Sequence, residues 1–477
     1  MTGLPVRCAQ IFNVRDFGAQ GDGVRMDTRA IQSAIDVCHR AGGGVVLLPR
    51  GIYLTGPLCL RSNINLHLVR EATLLGSARV EDYSEWPAES FQAGKAPYNA
   101  RYLLGAENAE NLSITGEGVI DGQGAVHYDR SVEERVWWPV IDKKTRPGRM
   151  ILLILCKNVT IEGITCVDSP AWTFWVSGCE KVKFHGVTIR TDWRQINTDG
   201  IDIDCCRDVT IRHCHISTGD DALVLRSVDR LFPDKKICEQ VTVEHCTLES
   251  NCNAVRLSYL RDGVMRNITM ENITILRSRR GITCQIPAPH EVPERRDPAP
   301  GSEGPTVENV RFSNVRIEAK RPIWFWVSEM AVAKSIGNIR FENLDVVGPC
   351  ASHMEGNAAT PICNVIFDNV RMRLTGEGSS HEKEGRALAL ILRHCENVVL
   401  RNFRVEGSNP SVPEEAPLFL LESVPGCRIS GLTNLTGRDV TPMWAGEDRF
   451  LTSLPRARNG GSETGVAMAG GEVRSQT

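Results

Sequence analysis

Along most of this chain a short phrase recurs in which apolar and polar positions alternate, opened by a polar residue and usually Asn or Asp, and closed by Asn, His or Gly. It reads ENLSITG from position 110, KNVTIEG from 157, EKVKFHG from 180, RDVTIRH from 207, EQVTVEH from 239 and RNITMEN from 266. It returns as ENVRFSN from 308, GNIRFEN from 337, CNVIFDN from 363, ENVVLRN from 396 and PGCRISG from 425. Alternation with period two is the mark of a strand with one buried face, as in Val209 and Ile211 or Ile268 and Met270. A second alternating segment precedes most copies: Gly200 to Asp204, Ala222 to Leu225, Ala254 to Leu257, Ile323 to Val327 and Leu388 to Leu392. Two or three short strands per repeat of roughly 20 to 30 residues, with no crossover helix, describe the coil of a solenoid. The predicted fold is therefore all-β, a parallel β-helix in which like strands of successive coils pair at about 4.8 Å.

The N-terminal region breaks the pattern. Thr28 to Arg40 carries Ile31, Ala34, Ile35 and Cys38 at helical spacing, with Asp27 or Thr28 as N-cap and Gly42 to Gly44 as its stop. An amphipathic helix there suits the open end of a solenoid, which needs a cover. One domain is expected over residues 1–454, followed by a Gly/Ser-rich flexible tail at 455–477.

Composition narrows the partners. The 477 residues are 42% hydrophobic, with 55 Lys+Arg against 58 Asp+Glu, a net charge of -3 that argues against a general nucleic-acid binder. There is no apolar run of membrane-spanning length, and the start MTGLPVRCAQIFNV lacks the apolar core of a secretory leader. Seventeen cysteines, an odd number without a CxxC pair, sit largely beside apolar positions and are expected to be buried reduced thiols. These features point to the cytoplasm, the alternative being a secreted or periplasmic protein whose leader has been removed.

Three carboxylates carry the candidate chemistry. Asp199 lies two positions before Ile201 and Asp221 two before Leu223, so both occupy the same register on neighbouring coils, with Asp220 adjacent. Crowded carboxylates raise at least one proton affinity and place an acid beside a base. Inverting glycosidases use two carboxyl groups separated widely enough to admit a water, a span that adjacent coils can supply. The plainer reading of such Asp residues is that they end strands and bind turn amides. Asp202 and Asp204 alternate with Ile201 and Ile203 and should project outward, Asp202 near the cluster as a substrate-binding candidate. Trp175 one coil earlier, and Trp324 and Trp326 on a later coil, are expected on the same outer face as a sugar-stacking surface, the alternative being burial under long loops.

The opening NVRDFGAQGDGVRMDTRAIQSAID, GGGVVLLPRGIYLTG and NLHLVREATLLGS resembles that of pectin-degrading β-helix enzymes. NTDG at 197–200 followed by GDD at 219–221 resembles the signature of glycoside hydrolase family 28, the polygalacturonase family. The resemblance runs over roughly residues 13 to 345 and implies a right-handed parallel β-helix that hydrolyses pectic glycosides with inversion and without a metal or organic cofactor. It further implies Asp220 as general acid, with Asp199 and Asp221 activating water. The chain departs from the family in two places. The family's Gly-His-Gly segment corresponds to SNCNAVRLS, where the His position falls on Cys252 or Asn253. Its Arg-Ile-Lys segment, which binds the galacturonate carboxylate, corresponds to Thr283, Cys284 and Gln285 in RRGITCQ. With those cations gone, plain polygalacturonan is disfavoured and another pectin-related oligosaccharide or glycoside is expected. Arg256, Arg279 or Arg280 could restore the charge from elsewhere.

Two insertions, Asp121 to Met150 with Trp137 and Trp138, and Gln285 to Pro305, are expected to shape the groove and, if they close its ends, to favour removal of terminal units. His213 and His215 share a strand face without an evident third ligand, so no metal site is expected. The partner is thus an oligosaccharide or polysaccharide. Two rival readings remain: a non-catalytic carbohydrate-binding β-helix, or a polysaccharide lyase or epimerase on the same scaffold.

Overall fold

The computed structural model describes residues 10–84, 101–132, 136–228, 232, 234, 236–259, 263–287, 304–375, 388–407 and 418–433, and the backbone of 443–445. The predicted tail, and most of the Gln285 to Pro305 insertion, lie outside the described residues. Among the described residues thirty-four strands form one continuous sheet wound into coils. A representative coil runs through Ile201–Asp204, Arg207–Arg212 and His215–Thr218. Each of these strands pairs in parallel with its counterpart one coil earlier and one coil later. The repeated phrase is the middle strand of each coil.

Alternation explains the core. Inward positions such as Ile201, Leu223, Val255, Ile282 and Ile323 stack in register and are buried. Phe312, Phe341 and Phe367 stack in the same way, with centroids 5.2 and 4.8 Å apart. The Asn that recurs within each phrase, and the one that often closes it, take the left-handed conformation, as at Asn314 and Asn343. Asn tolerates that region because its short amide bonds locally. Here the amides also link coils, Asn314 donating to Asn272 and Asn343 donating to Asn314.

The helix forms over Thr28–Arg40 as expected and buries Ile31, Ala34, Ile35 and Cys38 against the first coils. Asp27 precedes it without capping it. Its carboxylate instead accepts from the backbone N–H groups of Gln20 and Gly21. All sixteen described cysteines are free, and most are buried. His213 does not share a strand face with His215. It sits at a left-handed turn, stacked on His245 at 5.1 Å and edge-on to His185 at 5.4 Å.

Candidate active site

The site lies where the chain enters the first strand of successive coils. Ile201 pairs with Leu223, and the Gly200 N–H donates to the Asp221 carbonyl at 2.8 Å, so Asp199 and Asp221 share a register position on adjacent coils. The motif glycines are there because backbones approach closely: a Cβ on Gly200 would lie 2.4 Å from the Ala222 carbonyl, and one on Gly219 2.2 Å from that of Gln195. Asn253 occupies the same register position one coil on, and Arg280 and Arg321 follow it. One column thus reads Asp199, Asp221, Asn253, Arg280, Arg321.

Burial separates the three acids. Asp221 is fully buried and Asp199 is 6% exposed, whereas Asp220 is half-buried. Both oxygens of Asp221 are engaged: Asn253 donates its backbone N–H and its amide to Oδ1, and Arg256 Nη1 reaches Oδ2 at 2.8 Å. Asp220 accepts the backbone N–H of Asn197 at Oδ2 and that of Asp221 at Oδ1. Asp199 Oδ1 is buried with no hydrogen-bond partner among the described residues.

The electrostatics follow from this crowding. Burial first, then Asp220, Asp202 and Asp221, hold Asp199 well above the ordinary carboxylate range, with Arg256 opposing. Burial and then Asp221 push Asp220 up to about 6, against the Asn197 N–H and Arg256. Burial and Asp221 likewise raise Asp202, against Arg226 and Arg149. Burial works against the Arg256 cation, but Asp221 outweighs it and holds the guanidinium above its usual range. Carboxylate oxygens of Asp220 and Asp221 and the Cys252 sulfur lie within 4.8 Å of one another, a donor set that could hold a cation. Burial keeps the thiol well above its usual range, and Arg256 already balances Asp221, so this set does not favour a hard divalent ion.

The remaining candidates divide. Asn253, not Cys252, stands in the register of Asp221. Arg256 faces outward between inward Val255 and Leu257, with Tyr259 4.1 Å from its carbon. Trp324 and Trp326 are half-buried, with ring centroids 6.3 Å apart and an interplanar angle of 30°. Arg280 and Arg321 each lie 4.8 Å from the Trp324 ring. Asp202 points off the sheet but is 2% exposed, with Oδ2 unpaired among the described residues, and Asp204 is buried accepting from the Val228 N–H.

Trp175 is a correction. It leaves the outer face as expected yet is 3% exposed, because Tyr102, Leu152, Trp172, Val228 and Phe232 pack over it. The buried Arg149 guanidinium lies 4.4 Å from the Trp175 ring and 4.5 Å from that of Trp172.

The expected insertion, together with Arg146, Arg149 and Arg321, which the sequence did not single out, completes the site. The insertion at 121–150 is a side wall: Trp137 donates its indole N–H to the Gly219 carbonyl at 2.9 Å, and Asn251 donates to the Val136 carbonyl. Arg146, buried, donates to the Tyr128 hydroxyl and to Asn197 Oδ1, anchoring the segment whose N–H holds Asp220. Arg321 joins Arg279 and Arg280 in a cluster that makes no ion pair among the described residues. Carrying the two-before-the-core spacing of the acids three coils onward would have found Arg321; nothing in the local sequence marks Arg146 or Arg149.

A solenoid that brings carboxylates from successive coils together on one flank has the build of a polysaccharide-processing β-helix protein. Residues 87–238 match the family model described as glycosyl hydrolases family 28, and residues 11–76 match one described as rhamnogalacturonase A/epimerase, pectate lyase-like. Over residues 87–238 the chain is thus similar to the family 28 glycosyl hydrolases. A probable polygalacturonase of Vitis vinifera is 34% identical over 222 residues, covering 44% of this chain and 43% of the relative. An endo-polygalacturonase of Pectobacterium carotovorum subsp. carotovorum is 30% identical over 210 residues, 42% of this chain and 51% of the relative. The matches thus span about half the length of these curated relatives. Among solved structures, an exopolygalacturonase from Thermotoga maritima superimposes with a TM-score of 0.61 at 20% identity, over 84% of this chain and 93% of that one. The polygalacturonase from Erwinia carotovora ssp. carotovora gives 0.53 at 18% identity, over 93% and 99%. The fold is that of the right-handed parallel β-helix polygalacturonases.

Proposed function

We propose that this protein hydrolyses, with inversion, a glycosidic bond in an acidic pectin-related oligosaccharide. The observation that carries the reading is the contrast between Asp220, half-buried and raised to about 6, and Asp199, buried beside it with an oxygen that has no partner among the described residues. Asp220 gives its proton to the glycosidic oxygen as the bond to the anomeric carbon breaks. Asp199 takes a proton from the water whose oxygen bonds to that carbon from the opposite face. A water donating to Asp199 Oδ1 supplies the hydrogen bond that the protein omits, favours the Asp199 carboxylate and shifts the shared proton towards Asp220. Asp221, held by Asn253 and Arg256, acts through its field on both neighbours.

The substrate reading rests on charge. The positions that match the family's cations carry Cys252 or Asn253, Thr283 and Gln285 here, while Arg279, Arg280 and Arg321 supply guanidinium groups elsewhere on the same face. That supports a sugar acid whose carboxylate stands differently from that of plain polygalacturonan. The unpaired cysteines support a reducing compartment such as the cytoplasm. The test is a screen of pectic oligosaccharides with the product anomer read by NMR. Inverted product from the parent and none from a folded Asp220→Asn variant is expected; a fully active variant removes Asp220 from the role.

A further inference from the structure

The insertion at 121–150 folds as a ribbon that is tied to the backbone beside the acids. Its two limbs run antiparallel: Tyr128 pairs with Val140, the Ile141 N–H donates to the His127 carbonyl, and the Asp129 N–H donates to the Pro139 carbonyl. From this ribbon, polar groups reach four successive coils. The Tyr128 hydroxyl lies 2.9 Å from the Pro170 carbonyl oxygen and 2.8 Å from that of Ile196. Arg146 donates to that hydroxyl at 2.8 Å, to the Ile196 carbonyl at 3.3 Å and to Asn197 Oδ1 at 3.2 Å. The Trp138 N–H donates to the Arg194 carbonyl, and the Trp137 indole holds the Gly219 carbonyl at 2.9 Å. One coil further, the Asn251 amide bridges the carbonyls of Val136 and Trp193.

Two of these ties fall on the segments that hold Asp220. The Asn197 N–H donates to Asp220 Oδ2 at 2.8 Å. Asn197 stands in the left-handed conformation, at φ 62°, with its side-chain carbonyl on Arg146 and the carbonyl before it on Tyr128 and Arg146. On the other side, Gly219 immediately precedes Asp220. Its N–H donates to Thr191 Oγ1 at 3.1 Å, its backbone is pressed against that of Gln195, and its carbonyl belongs to Trp137. Tyr128 and Arg146 are buried, so these bonds are made away from bulk water, where a lost partner costs most.

From this we propose that Tyr128, Trp137 and Arg146 are positioning residues for the general acid: the ribbon grips the backbone on both sides of Asp220 and so fixes the hydrogen bond that Asp220 accepts from the Asn197 N–H. The part played by Asp220 in turnover rests on the hydrolase reading above. The Asn197 N–H favours the ionised carboxylate, against burial and Asp221, which favour the protonated form. Asp220 is also faced by the Asp199 carboxylate, the Arg256 guanidinium, the Cys252 thiol and the Tyr128 hydroxyl. Loosening the ribbon therefore raises the proton affinity of Asp220 and frees the acid to turn from the glycosidic oxygen.

The experiment uses the full chain labelled with carboxyl-13C aspartate, the Asp220 signal being assigned by its loss in Asp220→Asn. Tyr128→Phe and Trp137→Phe each remove one polar group without changing charge near Asp220. Expected is a parent midpoint near 6 and a rise of about one pH unit in either variant, with the alkaline limb of kcat moving by the same amount. On pectic oligosaccharides kcat should fall about tenfold while KM changes little. Arg146→Met should show the same shift, and Arg146→Lys, which keeps the cation, a smaller one. If Tyr128→Phe fails to fold, the half-buried Trp137 decides through Trp137→Phe. An unchanged Asp220 midpoint in the folded variants would overturn the proposal, as would a rise in KM with kcat untouched. The expected midpoints without hydrolysis of any oligosaccharide would leave the ribbon's role in place and count against the hydrolase reading instead.

Discussion

Arg256 and Asp221 should move the pH dependence of the reaction in opposite directions. Asp221 raises, and Arg256 lowers, the proton affinity of both Asp199 and Asp220. The alkaline limb of the rate profile, which reports loss of the shared proton, should therefore move up in Arg256→Met and down in Asp221→Asn. Carboxylate oxygens of Asp220 and Asp221 lie within 4.8 Å. Unit charges at that distance in an effective dielectric constant of about 20 repel by roughly 3 kcal/mol, or about 2 pH units. Because Asp220 is partly open to solvent, a downward shift of about one unit is expected for Asp221→Asn. Arg256 is a weaker influence on Asp220 than Asp221 is, so its upward shift should be smaller. Arg256→Met also strips a partner from a buried carboxylate, which costs about 3 to 5 kcal/mol in such pairs and should show in thermal unfolding. Arg256→Lys keeps the charge, and its alkaline limb should stay close to the parent's even if stability falls. The assay is the initial rate from pH 4 to 9 on the best oligosaccharide substrate, with unfolding followed by circular dichroism in the same buffers. Limbs that move the same way in Arg256→Met and Asp221→Asn, or that do not move, would refute this electrostatic account.

Two further outcomes concern stability and thiols. The folded-state pKa of Asp199 is raised above its unfolded value, so the folded chain holds a proton that the unfolded chain releases. Its contribution is fully present below about pH 4 and is lost as pH rises towards the folded value. Asp199→Asn should therefore raise Tm at pH 7, have little effect at pH 4, and abolish turnover; a lower Tm at pH 7 would contradict the burden assigned to this carboxylate. With no disulfide among the described residues, dithiothreitol should leave Tm unchanged, and a thiol reagent should label only a few cysteines in the native protein, Cys59, Cys350 and Cys363 among them, reaching all 17 after denaturation. A Tm that drops on reduction would count against this.

The solenoid was legible because its stabilising pattern repeats: each phrase alone shows a half-buried strand, and successive phrases show that the strands must stack. The carboxylate register was legible for the same reason, since a fixed offset from an inward Ile or Leu places a side chain without knowledge of the rest. Trp175 was misplaced because alternation gives only the direction in which a side chain leaves the sheet. What lies above it comes from Tyr102, Arg149 and Phe232, far away in sequence. That Asn253 rather than Cys252 shares the register of Asp221 was not legible, because it depends on how Leu223 pairs with Val255 across a long intervening segment.

The fixed offset explains more than the acids. Asn253 stands two before Val255, Arg280 two before Ile282 and Arg321 two before Ile323, so a single column changes from acidic to neutral to basic over five coils. That order has a chemical consequence for an acidic oligosaccharide. Its carboxylates are drawn to Arg280 and Arg321, two and three coil steps beyond Asp221, roughly 10 to 14 Å away and about a Debye length from the proton donor. Asp220 is thereby spared a further negative neighbour when substrate binds, and its proton affinity continues to be set by Asp221 and Arg256. Reversing the basic end, as in Arg280→Glu/Arg321→Glu, should accordingly raise KM for acidic substrates far more than it alters the pH dependence of kcat.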